Sequence, residues 1–131
     1  MILLDTHTLV WFLTSPDKLS LTSKNAIESN YKKTPILISS ISIWEICQLV
    51  NKGKIDFSVN LEDWLTELNK KSAFQFVVID NIIAYNSQAL PGNFHKDPAD
   101  RFIVATAIQL GATIVTKDQK IRRYKHVKTI W

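Results

Sequence analysis

Four carboxylates fall where they could act on one bound group: Asp5, Glu45, Asp100 and Asp118. Asp5 directly follows the apolar run Ile2-Leu3-Leu4. Asp118 follows Thr113-Ile114-Val115-Thr116 by two residues. Glu45 lies in the first turns of a helical stretch after Ile36-Leu37-Ile38-Ser39. Asp100 lies in the first turn of the helix opened by Asp97-Pro98. The chain has only eight Asp and four Glu, so four at one place is a concentration. Converging carboxylates raise one another's pKa. Arg101 and nearby lysines cannot neutralise four of them. A hard cation such as Mg²⁺ or Mn²⁺ does so directly, because it prefers oxygen ligands and keeps several waters. Such a cation lowers the pKa of a bound water, which suits phosphodiester cleavage.

Each acid also has a plainer structural use. Asp97 is a good N-cap, Pro98 is the favoured first helical residue, and Asp100 then faces unpaired N–H groups. Asp118 can cap a last short helix. Glu45 can complement a helix dipole. Asp5 is harder to explain as a cap. It sits between apolar runs, so it is expected to be partly buried and to need a partner.

Other chemistries are poorly served. Three isolated glycines, at 53, 92 and 111, make no phosphate-binding loop. His7, His95 and His126 lack zinc-hydrolase spacing, and no Gly-x-Ser-x-Gly elbow exists. Cys47 and the four tryptophans, Trp11, Trp44, Trp64 and Trp131, fall in apolar stripes and read as packing.

The elements that must position these acids alternate. Strands are expected at Ile2-Leu3-Leu4, Ile36 to Ser39, Phe76 to Ile79 and Thr113 to Thr116, with a short fifth within Val127 to Trp131. Helices are expected from Thr6 to Leu13, from a Ser20 cap to Asn30, and from a Ser40 or Ser42 cap toward Gly53. Others should start at Asn60, at Asp80 or Asn81, and at Asp97, the last ending at Leu110 before Gly111. Alternation of this kind predicts an α/β protein, a doubly wound α/β/α sandwich around a mainly parallel sheet of four to five strands. Ligand sites in such sheets lie beyond the carboxyl ends of the strands, where strand order reverses. No linker, repeat or low-complexity tract appears, so residues 1–131 read as one domain.

Charge and composition narrow the class. The 131 residues are 46% hydrophobic and 21% charged, which excludes disorder. A single cysteine excludes a disulfide scaffold. No apolar run spans a membrane and no signal peptide is visible, so a cytoplasmic location is expected. Residues 117–131 hold six basic groups against Asp118 alone, while the rest of the chain carries 10 basic and 11 acidic groups. Lys117, Lys120, Arg122 and Arg123 are therefore candidates to bind a polyanion or an acidic partner. A solvated face is the competing reading.

Leu3-Leu4-Asp5-Thr6, Ser42-Ile43-Trp44-Glu45, Asp97-Pro98-Ala99-Asp100-Arg101 with Ala105-Thr106-Ala107, and Thr116-Lys117-Asp118 together resemble the PIN domain. The resemblance is strongest to its bacterial branch, the VapC-type toxins of toxin–antitoxin pairs, and it runs the length of the chain. It implies a Mg²⁺- or Mn²⁺-dependent endoribonuclease, a homodimer and inhibition by a small cognate antitoxin. Carried over residue by residue, the catalytic acids are Asp5, Glu45, Asp100 and Asp118, with the metal on Asp5, Asp100 and Asp118. Thr116 and Asp97 are supporting positions. RNA recognition is expected through the shape and backbone of a structured RNA. A DNA-directed or structure-specific nuclease of the same fold is the alternative, as is a catalytically idle binding module. A phospho-receiver domain fits less well. It needs adjacent acids after the first strand and an acid after a middle strand, whereas Thr6-His7 follows Asp5 and Ile36 to Ile43 holds no acid.

Overall fold

The computed structural model describes all 131 residues, Met1–Trp131. Five strands form one sheet: β1 (Ile2–Leu4), β2 (Ile36–Ser39), β3 (Phe74–Val77), β4 (Thr113–Val115) and β5 (Thr129–Ile130). Their order is β3-β2-β1-β4-β5 and every neighbouring pair is parallel. The chain thus winds outward from β1 to β3, then crosses back to lay β4 and β5 on the other side of β1. The expected doubly wound sheet is present, and its order reverses between β1 and β4.

Alternate side chains of each strand enter opposite cores. Ile2 and Leu4 of β1, with Ile36 and Ile38 of β2, face a core completed by Leu9 and Val10 of α1 (Thr6–Thr14), Ile27 of α2 (Leu21–Tyr31), Ile46 of α3 (Ser40–Asn51) and Leu68 of α4 (Leu61–Asn69). Leu3, Leu37 and Ile114 face the other core, filled by Ile103, Val104 and Ala107 of α6 (Pro98–Leu110) and Ile121 of α7 (Gln119–Arg122). Helix α5 (Asn81–Gln88) packs outside against α6. A short 3₁₀ turn at Pro16–Lys18 separates α1 from α2. Such two-sided burial is why β1 and β2 read as continuous apolar runs. No helix is long and apolar enough to cross a membrane.

Several local expectations shift. β3 lies two residues earlier than the run Phe76 to Ile79, because its partner β2 sets the register: Ile36 pairs with Phe74 and Ser39 with Val77. As an edge strand, β3 exposes Gln75, and Val78 stands outside it, largely exposed. The cap of α3 is neither Ser40 nor Ser42 but Ser39, the last residue of β2, whose hydroxyl accepts the Ile41 N–H at 3.3 Å. β4 ends at Val115, and Thr116 leaves the ladder after its N–H meets the Ile130 carbonyl. Trp44 is 54% exposed and Cys47 only half-buried, so neither belongs to the core as expected. Gly111 ends α6 at φ 64°, a left-handed C-cap that favours glycine.

Candidate active site

The pocket at the switch between β1 and β4 holds about 330 Å³. Asp5, Glu45, Asp97, Asp100 and Asp118 all line it, together with Thr6, His7, Trp11 and Lys117. Four separate elements deliver the acids. The end of β1 carries Asp5, α3 carries Glu45, the start of α6 carries Asp97 and Asp100, and the turn after β4 carries Asp118.

Three of these aspartates cap helices. Asp5 Oδ1 accepts the Thr8 N–H at 2.7 Å, Asp97 Oδ1 accepts the Asp100 N–H at 3.0 Å, and Asp118 Oδ1 accepts the Lys120 N–H at 2.7 Å. Asp5 is therefore a cap after all. The apolar runs around it are a strand and a helix that meet at this one residue. In each case one carboxylate oxygen is committed to a helix start; the second oxygens of Asp97 and Asp118 make no hydrogen bond within the chain, whereas that of Asp5 has a partner. The N-termini of α1 and α6 also bring positive dipole ends to a negative site.

Asp5 is buried, and its second oxygen accepts the Thr116 hydroxyl. The Thr116 oxygen in turn accepts the Asp118 N–H at 3.0 Å. Thr116 thus ties the ends of β1 and β4 together. Thr8 adds a bond to the Val115 carbonyl at 2.9 Å, and Thr6 bonds Ser42 of α3 at 3.2 Å. Burial pushes the Asp5 carboxyl upward, opposed by its hydrogen bonds to Thr116 and Thr8. Asp100 is pushed up to about 7, first by burial and then by Asp97, Asp118, Glu45 and Asp5. The expected mutual repulsion is therefore felt most at Asp100, with burial the larger cause.

His95 is a neighbour the sequence reading left without a role. Its Nε2 lies 3.0 Å from Asp100 Oδ2, at an angle that makes no hydrogen bond. The Asp97 N–H points at its Nδ1 at 3.4 Å. In neutral form the ring proton is thereby assigned to Nε2, facing Asp100. Trp11, expected to serve packing, has a second place. It walls the pocket, with Lys117 Nζ 5.9 Å above its ring and Trp131 behind it at 5.9 Å. The basic run divides: Lys117 faces the acids, whereas Lys120 and Arg123 line a different cavity and Arg122 lines neither.

The donor set is all oxygen and strongly under-neutralised, which fits a hard divalent cation. The acids line the pocket without closing into a cage of three metal-binding groups. Asp97→Ala is expected to lower stability by ~0.5–2 kcal/mol through the lost cap. Asp100→Ala should instead act mainly on activity. Thermal melts and cleavage rates on both variants separate the roles, and the reverse pattern would exchange them.

The chain matches the PIN domain family over residues 2–127. It is 34% identical to "Ribonuclease VapC22" of Mycobacterium tuberculosis (strain ATCC 25618 / H37Rv), across 99% of this chain and 98% of that one. Among solved structures it is similar to VapBC2 from Rickettsia felis bound to a promoter DNA fragment, with a TM-score of 0.70 at 23% identity, covering 98% of this chain and 97% of that one. It is also similar to a toxin–antitoxin complex from Klebsiella pneumoniae, with a TM-score of 0.65 at 19% identity, covering 97% and 95%. With its parallel sheet, the acid pocket at the switch point and a family match over nearly its whole length, this chain belongs to the PIN domain family.

Proposed function

We propose that the chain is a divalent-cation-dependent endoribonuclease that serves as the toxin of a toxin–antitoxin pair. The observation that carries this reading is the meeting of five carboxylates in one open pocket, with Asp100 held near 7. RNA is preferred as substrate because the relative at 34% identity is named a ribonuclease. Mg²⁺ or Mn²⁺ is the proposed cation, and Asp5, Asp100 and Asp118 are the residues that would hold it. When bound, it supplies Lewis acidity toward a phosphodiester and an attacking water.

The chain's own groups do the rest. Thr116 fixes Asp5 in one rotamer by a hydroxyl bond. The cap at Asp97 fixes the start of α6 and so the place of Asp100. Glu45 projects into the pocket from α3 and is placed to take a proton from the attacking water. Lys117, held over Trp11, offers a positive charge to an approaching phosphate.

A small cognate antitoxin is the proposed partner, by likeness to a structure described as a toxin–antitoxin complex. A homodimer is proposed as well. Ile82 and Tyr85 of α5 are 60% and 71% exposed beside Ile108 of α6, an apolar face suited to a second copy.

Labelled RNA and DNA of one sequence, incubated with the protein in Mg²⁺, Mn²⁺ or EDTA, test the activity. Internal cuts in RNA, lost in EDTA and restored by either cation, are expected. Cutting that persists in EDTA rejects the cation, and preferential cutting of DNA rejects the substrate. Inducing the protein alone in cells and mapping RNA ends then tests the toxin role, with Asp5→Asn as control.

A further inference from the structure

Behind the acid pocket, across the contact between Asp100 and His95, lies a second cavity of about 480 Å³. Asn93, His95, Lys120, Arg123, Lys125 and His126 line it, and no carboxylate does. Three full positive charges therefore face one cavity next to a site crowded with negative ones. Its walls are held in place. Tyr124, only 5% exposed, forms part of the floor and donates its hydroxyl to the Pro91 carbonyl. The Phe94 ring packs on Tyr124 at 4.8 Å. The Arg101 guanidinium donates to the carbonyls of Phe94 at 2.9 Å and His95 at 3.1 Å. Gly92 turns at φ 64° and comes so close to His126 that an added Cβ would lie 3.3 Å from its Nε2. The cavity is thus built before any ligand arrives, which lowers the ordering cost of binding.

We propose that this cavity is a phosphate subsite. Lys120, Arg123 and Lys125 grip the backbone of an RNA strand on one side of the bond that the acid pocket cleaves. The proposal rests on the ribonuclease reading above. RNA is favoured over an acidic peptide by contiguity. One residue pair separates the two cavities, and a polymer with a phosphate at every nucleotide occupies both at once. The structure also supplies a control of equal charge. Arg122 and Lys128 belong to the same basic run, are exposed, and line neither cavity.

The test is the affinity of a fluorescein-labelled single-stranded oligoribonucleotide for the full chain, in EDTA, across a salt series. Lys120→Ala with Arg123→Ala is expected to weaken binding about tenfold and to lower the salt slope by roughly one to two units. Arg122→Ala with Lys128→Ala is expected to stay within about twofold of the parent, since charge density alone is the only thing it changes. Thermal melts should be unchanged for both pairs, which remove exposed side chains. Equal losses in the two pairs would mean diffuse attraction and overturn the subsite. So would no loss in either, or no binding of RNA by the parent. Loss of polyglutamate binding with RNA binding intact would make the cavity a peptide site and overturn it too. The two readings fail separately. A parent that cuts RNA while the Lys120/Arg123 variant binds normally removes the subsite and keeps the nuclease. A parent that binds through the cavity but cuts nothing in Mg²⁺ or Mn²⁺ removes the nuclease and leaves the subsite standing.

Discussion

Asp5→Asn is expected to cut RNA cleavage on the order of 10³-fold or more, about 4 kcal/mol of transition-state stabilisation, while leaving the fold intact. The geometry explains both halves. The amide oxygen still accepts the Thr8 N–H and keeps the cap of α1. The amide nitrogen then faces Thr116, whose hydroxyl oxygen has a second acceptor site beyond the one used by the Asp118 N–H. The Thr116 hydroxyl proton loses its carboxylate acceptor, but its oxygen keeps the Asp118 N–H and gains the amide, so melts should fall by about 1 kcal/mol at most. What is lost is the negative charge. Asp5→Ala makes the contrast. It strips the cap and leaves Thr8 and Thr116 without an acceptor, and should cost ~1–3 kcal/mol of stability besides the activity. Cleavage by Asp5→Asn at the parental rate in Mg²⁺ would rule out a carboxylate–cation mechanism at this pocket.

The second large effect concerns Asp100 and runs opposite to ordinary loss of function. Its carboxyl sits at about 7 in the folded chain, against a usual value of 3.8. Below 3.8 the group is neutral in both folded and unfolded chains and contributes nothing. As pH rises between 3.8 and about 7, the unfolded chain ionises first, so the fold loses stability, and the loss is complete above 7. The side chain keeps 20% of its surface exposed. Solvent screening reduces the expected penalty to ~1–2 kcal/mol. Asp100→Asn is neutral at every pH. In EDTA at neutral pH it should therefore melt higher than the parent, and with Mg²⁺ or Mn²⁺ added it should cleave no RNA. Added Mg²⁺ should raise the parental melting temperature and raise that of the variant less, because the cation relieves a repulsion the variant no longer has. Identical melts for parent and variant from pH 4 to 8 would show that Asp100 is not under this strain.

Much of this was legible in the residues because the signals were local. Asn60, Ser20, Asp80 and Asp97 announce helix starts by side chains that bond two or three residues ahead; all four cap, Asp80 rather than the alternative Asn81. β1 and β2 are buried on both faces, so their apolar runs mark them directly. The less legible features depend on partners distant in sequence. The register of β3 is decided by β2, not by its own run of Phe76 to Ile79. The exposure of Trp44 follows from which face of α3 meets the sheet, and Ile46 rather than Trp44 is the residue turned inward. The approach of His95 to Asp100 depends on a loop that Arg101 pins through carbonyl oxygens, and carbonyls leave no trace in a sequence. For the same reason the basic run near the chain's end showed its charge but not its division between two cavities.

The place of β1 has a consequence for biosynthesis. This first strand lies at the centre of the sheet, and one of its edges waits for β4, whose residues come more than a hundred positions later. The bond between Thr116 and Asp5 closes a span of 111 residues. While the chain is still being translated, β1, β2 and β3 can pair, but Asp5 has neither its hydroxyl partner nor Asp118 beside it. Long-range pairings of this kind form late, since closing so long a loop comes before the contacts that reward it. The pocket is therefore incomplete on any chain that stops short of Thr116 and Asp118. A ribosome thus releases a finished acid pocket only after Thr116 and Asp118 have been made, so the interval before them is one in which the site cannot act.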